Sequence, residues 1–228
     1  RLSPKADGTF EPLYSCSGVI SSASDPYSNF TDLLLAGLGT HTVVHGKSYL
    51  LAGVPRDAVK TLTERTERGE FEISTERPWR DHVNTVRVNM VMADKEYEVG
   101  PAPVYRDEAL FARDGEERAI GADLSFVDSI TQAQRIAKHL IALSQMEKSV
   151  VRGEDIEAIR LIPSNVVRLH YKGSRGLVAN DNYQVESRAD RDRLDEFNLV
   201  LRQYDPVRLF GWNPAVDSRA WTGQLEAA

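Results

Sequence analysis

The residues of this chain whose types could do chemistry are few, and their spacing argues against most of it. Five histidines stand at His41, His45, His82, His139 and His170. His41 and His45 share one face of an extended segment, but four residues of strand hold them roughly 13 Å apart, too far to chelate one ion directly. Asp190, Asp192, Asp195 and Glu196 offer the paired carboxylates of a glycosidase. They interleave with Arg188, Arg191 and Arg193, however, which is the pattern of a solvated hairpin rim. Ser17 and Ser174 lack the context of a nucleophile elbow. Cys16 is the single cysteine, so no intrachain disulfide and no cysteine-built zinc or iron–sulfur centre can form, and it reads as a small buried thiol. No glycine pattern of a dinucleotide or phosphate loop occurs, and Gly37-Leu38-Gly39 reads as a helix stop. Trp79, Trp212 and Trp221 sit at segment ends, as interface or core anchors rather than a sugar platform. The reading therefore assigns no catalytic, cofactor-binding or metal-ligating residue, expects no cofactor, and takes the chain for a non-enzymatic scaffold.

Composition supports that. The chain has 228 residues, 41% hydrophobic and 8% aromatic, enough for a substantial core in one large domain or two modest ones. Its formal charge is −6, with acids and bases interspersed, which disfavours stable nucleic-acid binding but suits an acidic channel that lets DNA pass. No apolar run approaches the roughly 20 residues of a membrane span. The chain opens at Arg1 and reads as a piece of a longer polypeptide.

The elements that must position any site are mostly strands. One long stretch, Ser129 to Lys148, departs from this: Ala133, Ile136, Ala137, Leu140 and Leu143 recur at helical spacing, with Gln134, Arg135 and Lys138 mostly outside their stripe. Ser129 with Gln132, and Thr131 with Gln134, fit the capping box. The expected role is a helix whose apolar face seals a core and whose polar face meets solvent or another subunit. Before it come a strand over Phe10–Ile20, a short helix from Ser28 or Asn29 to Ala36, and a hairpin turning at His45-Gly46-Lys47. The charged stretch Arg56–Gly69 reads as a solvated face, and Val83–Met92 as a strand with Val86, Val88 and Met90 on one side. Tyr97–Val104 continues the sheet at an edge, because it carries Pro101 and Pro103. Asp107–Gly121 reads as an acidic connection. After the helix, strands are expected at Ile156–Ile162, Val166–Tyr171, Tyr183–Val185 and Phe197–Leu201, and periodicity fades beyond Pro214.

Five segments in this order resemble the tail tip attachment family, the hub or host-specificity proteins of long non-contractile phage tails and of gene transfer agents. They are Tyr14–Ile20 with Asn29–Leu34, Gly46–Gly53, Glu72–Arg87, and Ser129–Lys138, the last similar to a T-x-x-Q-A-x-R-x-A helix. Leu161–Leu169 is similar to the L-x-P-G-D-V-V turn, with Ser164 and Asn165 in place of Gly-Asp. The resemblance implies a homotrimeric hub on the tail axis that adapts a six-fold tube to a three-fold tip, with distal tail and other tip proteins as partners. It implies a virion structural role in host attachment and genome delivery, and a polypeptide made in the bacterial cytoplasm.

On this basis the fold class expected is α+β, mainly β. A tail-tube-like antiparallel barrel over residues 56–212 carries the packed helix 129–148, a β-α-β-β part over 1–55 belongs to a neighbouring hub domain, and 213–228 is a linker. Two alternatives from other classes are a cell-wall hydrolase using Asp192 and Glu196, and a carbohydrate-binding adhesin using Trp79 or Trp221.

Overall fold

The computed structural model describes residues 1–5, 7–20, 22–23, 25–92, 97–172, 178–190 and 196–219. The chain begins with a small hairpin of β1 (Leu2–Pro4) and β2 (Phe10–Pro12). The expected strand over Phe10–Ile20 pairs in a ladder only across β2. Beyond Pro12 the chain is extended but lies against a helix and a strand end, with the Ser17 amide donating to the Phe126 carbonyl. Helix α1 (Pro26–Ala36) starts earlier than Ser28 because Asp25 caps it, accepting from the Ser28 amide, and Pro26 needs no partner at the first position. Strands β3 (Thr40–Val44) and β4 (Lys47–Leu51) form the expected hairpin. His45 and Gly46 at its turn have φ of 50° and 72°, the left-handed pair of a type I′ turn.

Two sheets follow, each with its own core. The first is built on β7 (Thr85–Met92), flanked by β8 (Glu98–Pro101) and β9 (Tyr105–Arg106) on one side and β10 (Ala119–Leu124) on the other. Strand β10 runs parallel to β7 and is reached through α2 (Glu108–Asp114). The acidic connection expected over Asp107–Gly121 is therefore a helix and the start of a strand. Helix α2 buries no residue fully, so it has no apolar stripe to betray it, although Asp107 caps it and Gly115 ends it at φ 71°. Helix α3 (Ile130–Ser144) packs on β7. Val86, Val88 and Met90 face it as the alternation requires, sharing a core with Leu124, Ala133, Ile136, Ala137, Ile141 and Ala36 of α1. The helix ends at Ser144 rather than Lys148, where β-branched residues begin a strand.

The second sheet has the order β5 (Lys60–Thr63), β12 (Val166–Lys172), β13 (Val178–Asp190), β14 (Phe197–Gln203), β11 (Ser149–Glu154), β6 (Glu67–Ser74). Strands β5 and β6 are at opposite edges, yet only Glu64–Thr66 separates them along the chain. So short a link spans roughly 10–14 Å, so the sheet must curl to bring its two edges near each other. No ladder joins those edges among the described residues; side chains close the seam instead. Arg152 of β11 donates to the Thr63 carbonyl at 2.9 Å, and the rings of Phe71 and Tyr171 stack at 4.2 Å across it. The fold is thus α+β and mainly β, with a curled half-barrel sheet in place of the expected fully antiparallel barrel: β5 is parallel to β12, and β10 to β7. The charged stretch expected to be solvated supplies β5 and the start of β6, because Leu62 is the apolar residue that anchors it in the second core.

Three further expectations change. Ile156–Ile162 is a 3₁₀ segment over Ile156–Arg160, not a strand. It buries Ala158 and Leu161, spaced by a helical turn, and leaves Ile156 and Ile159 exposed. Helix α3 is the longest of five among the described residues, where one packed helix and a short one before it were expected. Beyond β14, α4 (Pro206–Phe210) and α5 (Pro214–Asp217) dock on α3: Lys138 pairs with the Asp217 carboxylate at 2.7 Å. The turn before β12 keeps a left-handed residue, Ser164 at φ 71°, with the Asn165 carboxamide oxygen accepting from the Ile162 amide. A Cβ there is strained and glycine is not. Ser164→Gly should therefore raise the urea midpoint, by a stability gain of about 0.5–1 kcal/mol; an unchanged or lower midpoint would show that the serine is held by contacts other than its backbone.

Candidate functional site

The chemistry-bearing residues are not brought together. His41 meets the edge of the Phe30 ring and the Ser48 hydroxyl, while the Nε2 of His45 faces the Arg188 guanidinium at 3.1 Å. No group of three or more His, Cys, Asp or Glu suited to a metal exists among the described residues. Asp192, Asp195, Ser174 and Trp221 lie outside the described residues. Arg188 is not part of a solvated rim: it donates to the carbonyls of Ile159 at 2.6 Å and Leu161 at 3.0 Å, fixing the end of the 3₁₀ segment. Cys16 is exposed rather than buried, because its segment crosses the surface of the first sheet's core. Partial desolvation and then Asp128 push its thiol pKa up, away from a reactive thiolate. Trp79 is half exposed, with the Arg118 guanidinium 4.1 Å from its ring centroid, and Trp212 donates to the Pro4 carbonyl while packing on the α3 core.

What the fold does assemble is a polar staple along α3. Ser129 caps the helix, accepting from the Gln132 amide at 3.3 Å and donating to Glu11 at 2.7 Å. The reciprocal half of the expected capping box is not made. Gln132 is fully buried, so its carboxamide must be satisfied where it points. Its oxygen accepts from the Ser15 amide and hydroxyl, and its nitrogen donates to the carbonyls of Ser15 and Ala36, at 2.8–3.0 Å. Arg135 donates to the Glu11 carboxylate at 2.6 Å and to the Leu13 carbonyl at 2.7 Å. Gln134 exchanges both its amide groups with the backbone of Arg219. His139 has Nδ1 at 3.0 Å from the Leu209 carbonyl, and burial holds its pKa below the usual histidine value.

The side of α3 expected to face solvent or another subunit is therefore covered by this chain's own first and last described segments. Periodicity places polar residues off the apolar stripe but says nothing of which distant backbone will meet them. Gln132→Ala should cost about 2–4 kcal/mol, since it strands the Ser15 and Ala36 groups in a buried place, and should free residues 11–15 first. Amide exchange would detect that; equal protection of Ser15 in both proteins would refute it.

Asn84 plays the same part for α2. Its nitrogen donates to Asp114 and the Glu116 carbonyl, and its oxygen accepts from the Arg118 amide and the Thr85 hydroxyl, at 2.9–3.0 Å. Burial pushes the Asp114 carboxyl upward, but bonds from Arg113 and Asn84 outweigh it and hold the pKa below the usual carboxylate value. A third buried constellation, unforeseen from local pattern, lies inside the curled sheet. Arg152 and Glu154 of β11 are both fully buried, their side chains paired, with Arg152 over the Phe71 ring at 5.7 Å. Arginine and glutamate two apart on a strand usually mark its solvent face. None of these arrangements combines a nucleophile, a base and an open cavity; the first two satisfy buried groups of the fold, while Arg152 and Glu154 pair as charges but leave Arg152 Nε and Nη1 and both Glu154 oxygens without a hydrogen bond.

No protein-family model matches the sequence, and no curated protein does either. Solved structures do. The chain is similar to a chain of the virion of a native gene transfer agent particle, with a TM-score of 0.69 and 16% identity over 89% of this chain and 44% of that one. It is also similar to the tail protein from Neisseria meningitidis MC58, at a TM-score of 0.51 and 14% identity over 81% and 56%. A third is the 43 kDa tail protein of prophage MuSo2 from Shewanella oneidensis, at 0.50 and 10% over 84% and 56%. The chain spans about half the length of these structures, and the likeness is one of fold. No helix among the described residues is long and apolar enough to cross a membrane.

Proposed function

We propose that this chain is a structural part of a phage or phage-like tail, the hub at its tip that joins the tail tube to the tip fibre and supports attachment and genome delivery. The observation that carries this reading is the match of 89% of the chain to one fold found in a gene transfer agent virion. The staples on α3 and Asn84 support it, since they spend the chain's buried polar groups on rigidity rather than catalysis. In this reading the chain assembles as a homotrimer with distal tail and other tip proteins, resides in the virion after synthesis in the bacterial cytoplasm, and uses no catalytic residue, cofactor or metal. DNA passes through the assembly without stable binding. Residues 1–55 belong to a neighbouring hub domain and residues 56–212 to the tube-like one. The packing of Ala36 on the α3 core is then a contact between domains of one chain.

Antibody against this chain, applied to intact particles and imaged by electron microscopy, tests the placement. Label confined to the free end of the tail is expected. Label along the whole tail, on the head, or on no particle at all would overturn it. Light scattering of the purified chain at rising concentration tests the trimer, which a strict monomer at all concentrations would contradict.

A further inference from the structure

A cavity of about 300 Å³ lies where β1, the extended residues 13–14, α3 and α4 come together. That volume is at the small end of natural ligand pockets. Leu13, Leu38, Leu209, Phe210 and the rings of Tyr14 and Trp212 supply its apolar walls. Most polar tips beside them are spent within the chain. Tyr14 donates to the Gly53 carbonyl and Trp212 to that of Pro4, which leaves their rings as wall. Lys138 pairs with Asp217, and Arg135 with Glu11 and the Leu13 carbonyl, its one unserved nitrogen, Nε, being enclosed. Arg1 and Ser3 also line the space.

His139 is different. Its Nδ1 lies 3.0 Å from the Leu209 carbonyl, which can only accept, so Nδ1 carries the proton of the neutral ring. Burial disfavours the charged ring. Nε2 therefore keeps its lone pair, and no described residue donates to it. The Phe210 ring, 5.0 Å away between centroids, packs on the imidazole and helps to fix its plane. An apolar cavity with one convergent acceptor is a recognisable kind of site.

We propose that this cavity binds a small uncharged aromatic molecule carrying one hydroxyl or N–H donor, the ring held by Leu13, Phe210 and Trp212 and the donor bonded to His139 Nε2. The cations of the wall repel a positively charged ligand, and an anion must compete with Glu11 and Asp217 for Arg135 and Lys138. A neutral donor meets no such competition. The site does not depend on the tail assignment.

Titration of the wild-type chain with phenol, fluorobenzene and benzoate, followed by two-dimensional NMR at the Trp212 indole N–H, tests it. Phenol and fluorobenzene are alike in size, and only phenol donates. Saturable shifts are expected with both, phenol binding about two- to tenfold more tightly, the worth of one hydrogen bond. His139→Asn keeps a side-chain N–H for the Leu209 carbonyl and removes Nε2. It should weaken phenol to the level of fluorobenzene and leave fluorobenzene unchanged. Leu13→Trp, which fills the cavity, should abolish binding of both while the chain still melts cooperatively. Equal affinities of phenol and fluorobenzene for the wild type, an equal loss of both in His139→Asn, or undiminished phenol binding by Leu13→Trp would overturn the site. So would benzoate binding more tightly than phenol, or the absence of any saturable shift at Trp212.

Discussion

Ile136→Asp is expected to abolish cooperative folding of the chain. Ile136 is fully buried at the centre of the contact between α3 and β7. Removing its side chain alone costs about 2–5 kcal/mol. Placing a carboxylate there adds several more, because its neighbours in the cluster are apolar and the group must either stay charged in a poor medium or take up a proton. A domain's whole stability is about 5–15 kcal/mol, so the sum consumes most or all of it. Circular dichroism on heating should show no sigmoidal transition, and the variant should form no assembly. Ile136→Val, by contrast, should fold and lose about 0.5–1.5 kcal/mol. Leu140 lies at the rim of the same cluster, only partly buried, and an acid there should cost less than at Ile136. A sharp melt for Ile136→Asp would disprove the packing of α3 described above.

The second large effect concerns the ion pair inside the curled sheet. Glu154→Ala removes the carboxylate partner of a fully buried Arg152 and leaves the Thr63 carbonyl to serve that cation. Breaking such a pair costs about 3–5 kcal/mol. Replacing both members together, as Arg152→Met with Glu154→Leu, should be near neutral or stabilising, since the desolvation of two charges is then removed as well. Urea midpoints of the single and double variants decide this; a double variant as weak as Glu154→Ala would mean that the charges themselves hold the seam. The pair also predicts a pH dependence. Burial raises the Glu154 pKa, with Arg152 opposing. Between the unfolded value, roughly 4.3, and the raised native one, the native state holds the extra proton, so stability falls as pH rises through that window. In Arg152→Met with Glu154→Leu this contribution should vanish.

Several polar residues inside the segments that carry the resemblance each tie distant pieces of the chain together. In the helix segment, Gln132 and Arg135, with the cap Ser129, tie α3 to residues 11–15, and Asn84 at the start of β7 ties it to the end of α2 and the residues before β10. Ser164 keeps the left-handed turn that glycine would adopt without strain. These are positions where one side chain must satisfy several backbone groups at once, which is why their types stand out in a sequence that is otherwise generic apolar alternation.

The sequence by itself determined the local order: the α3 stripe, its cap at Ser129, the I′ hairpin at His45-Gly46, the inward set Val86, Val88 and Met90, and the absence of any spacing for metal or phosphate chemistry. Each is read over a few residues, where backbone periodicity and capping act directly. Only the tertiary structure decided that the polar side of α3 is buried, that Cys16 is exposed, and that β5 and β6 lie at opposite edges of one curled sheet. It alone decided that Arg152 and Glu154 point inward. A charged or carboxamide side chain is polar wherever it stands, and its burial depends on partners supplied by distant segments. Glu11 lies 124 positions from Arg135 in the chain, a pairing that no local pattern records.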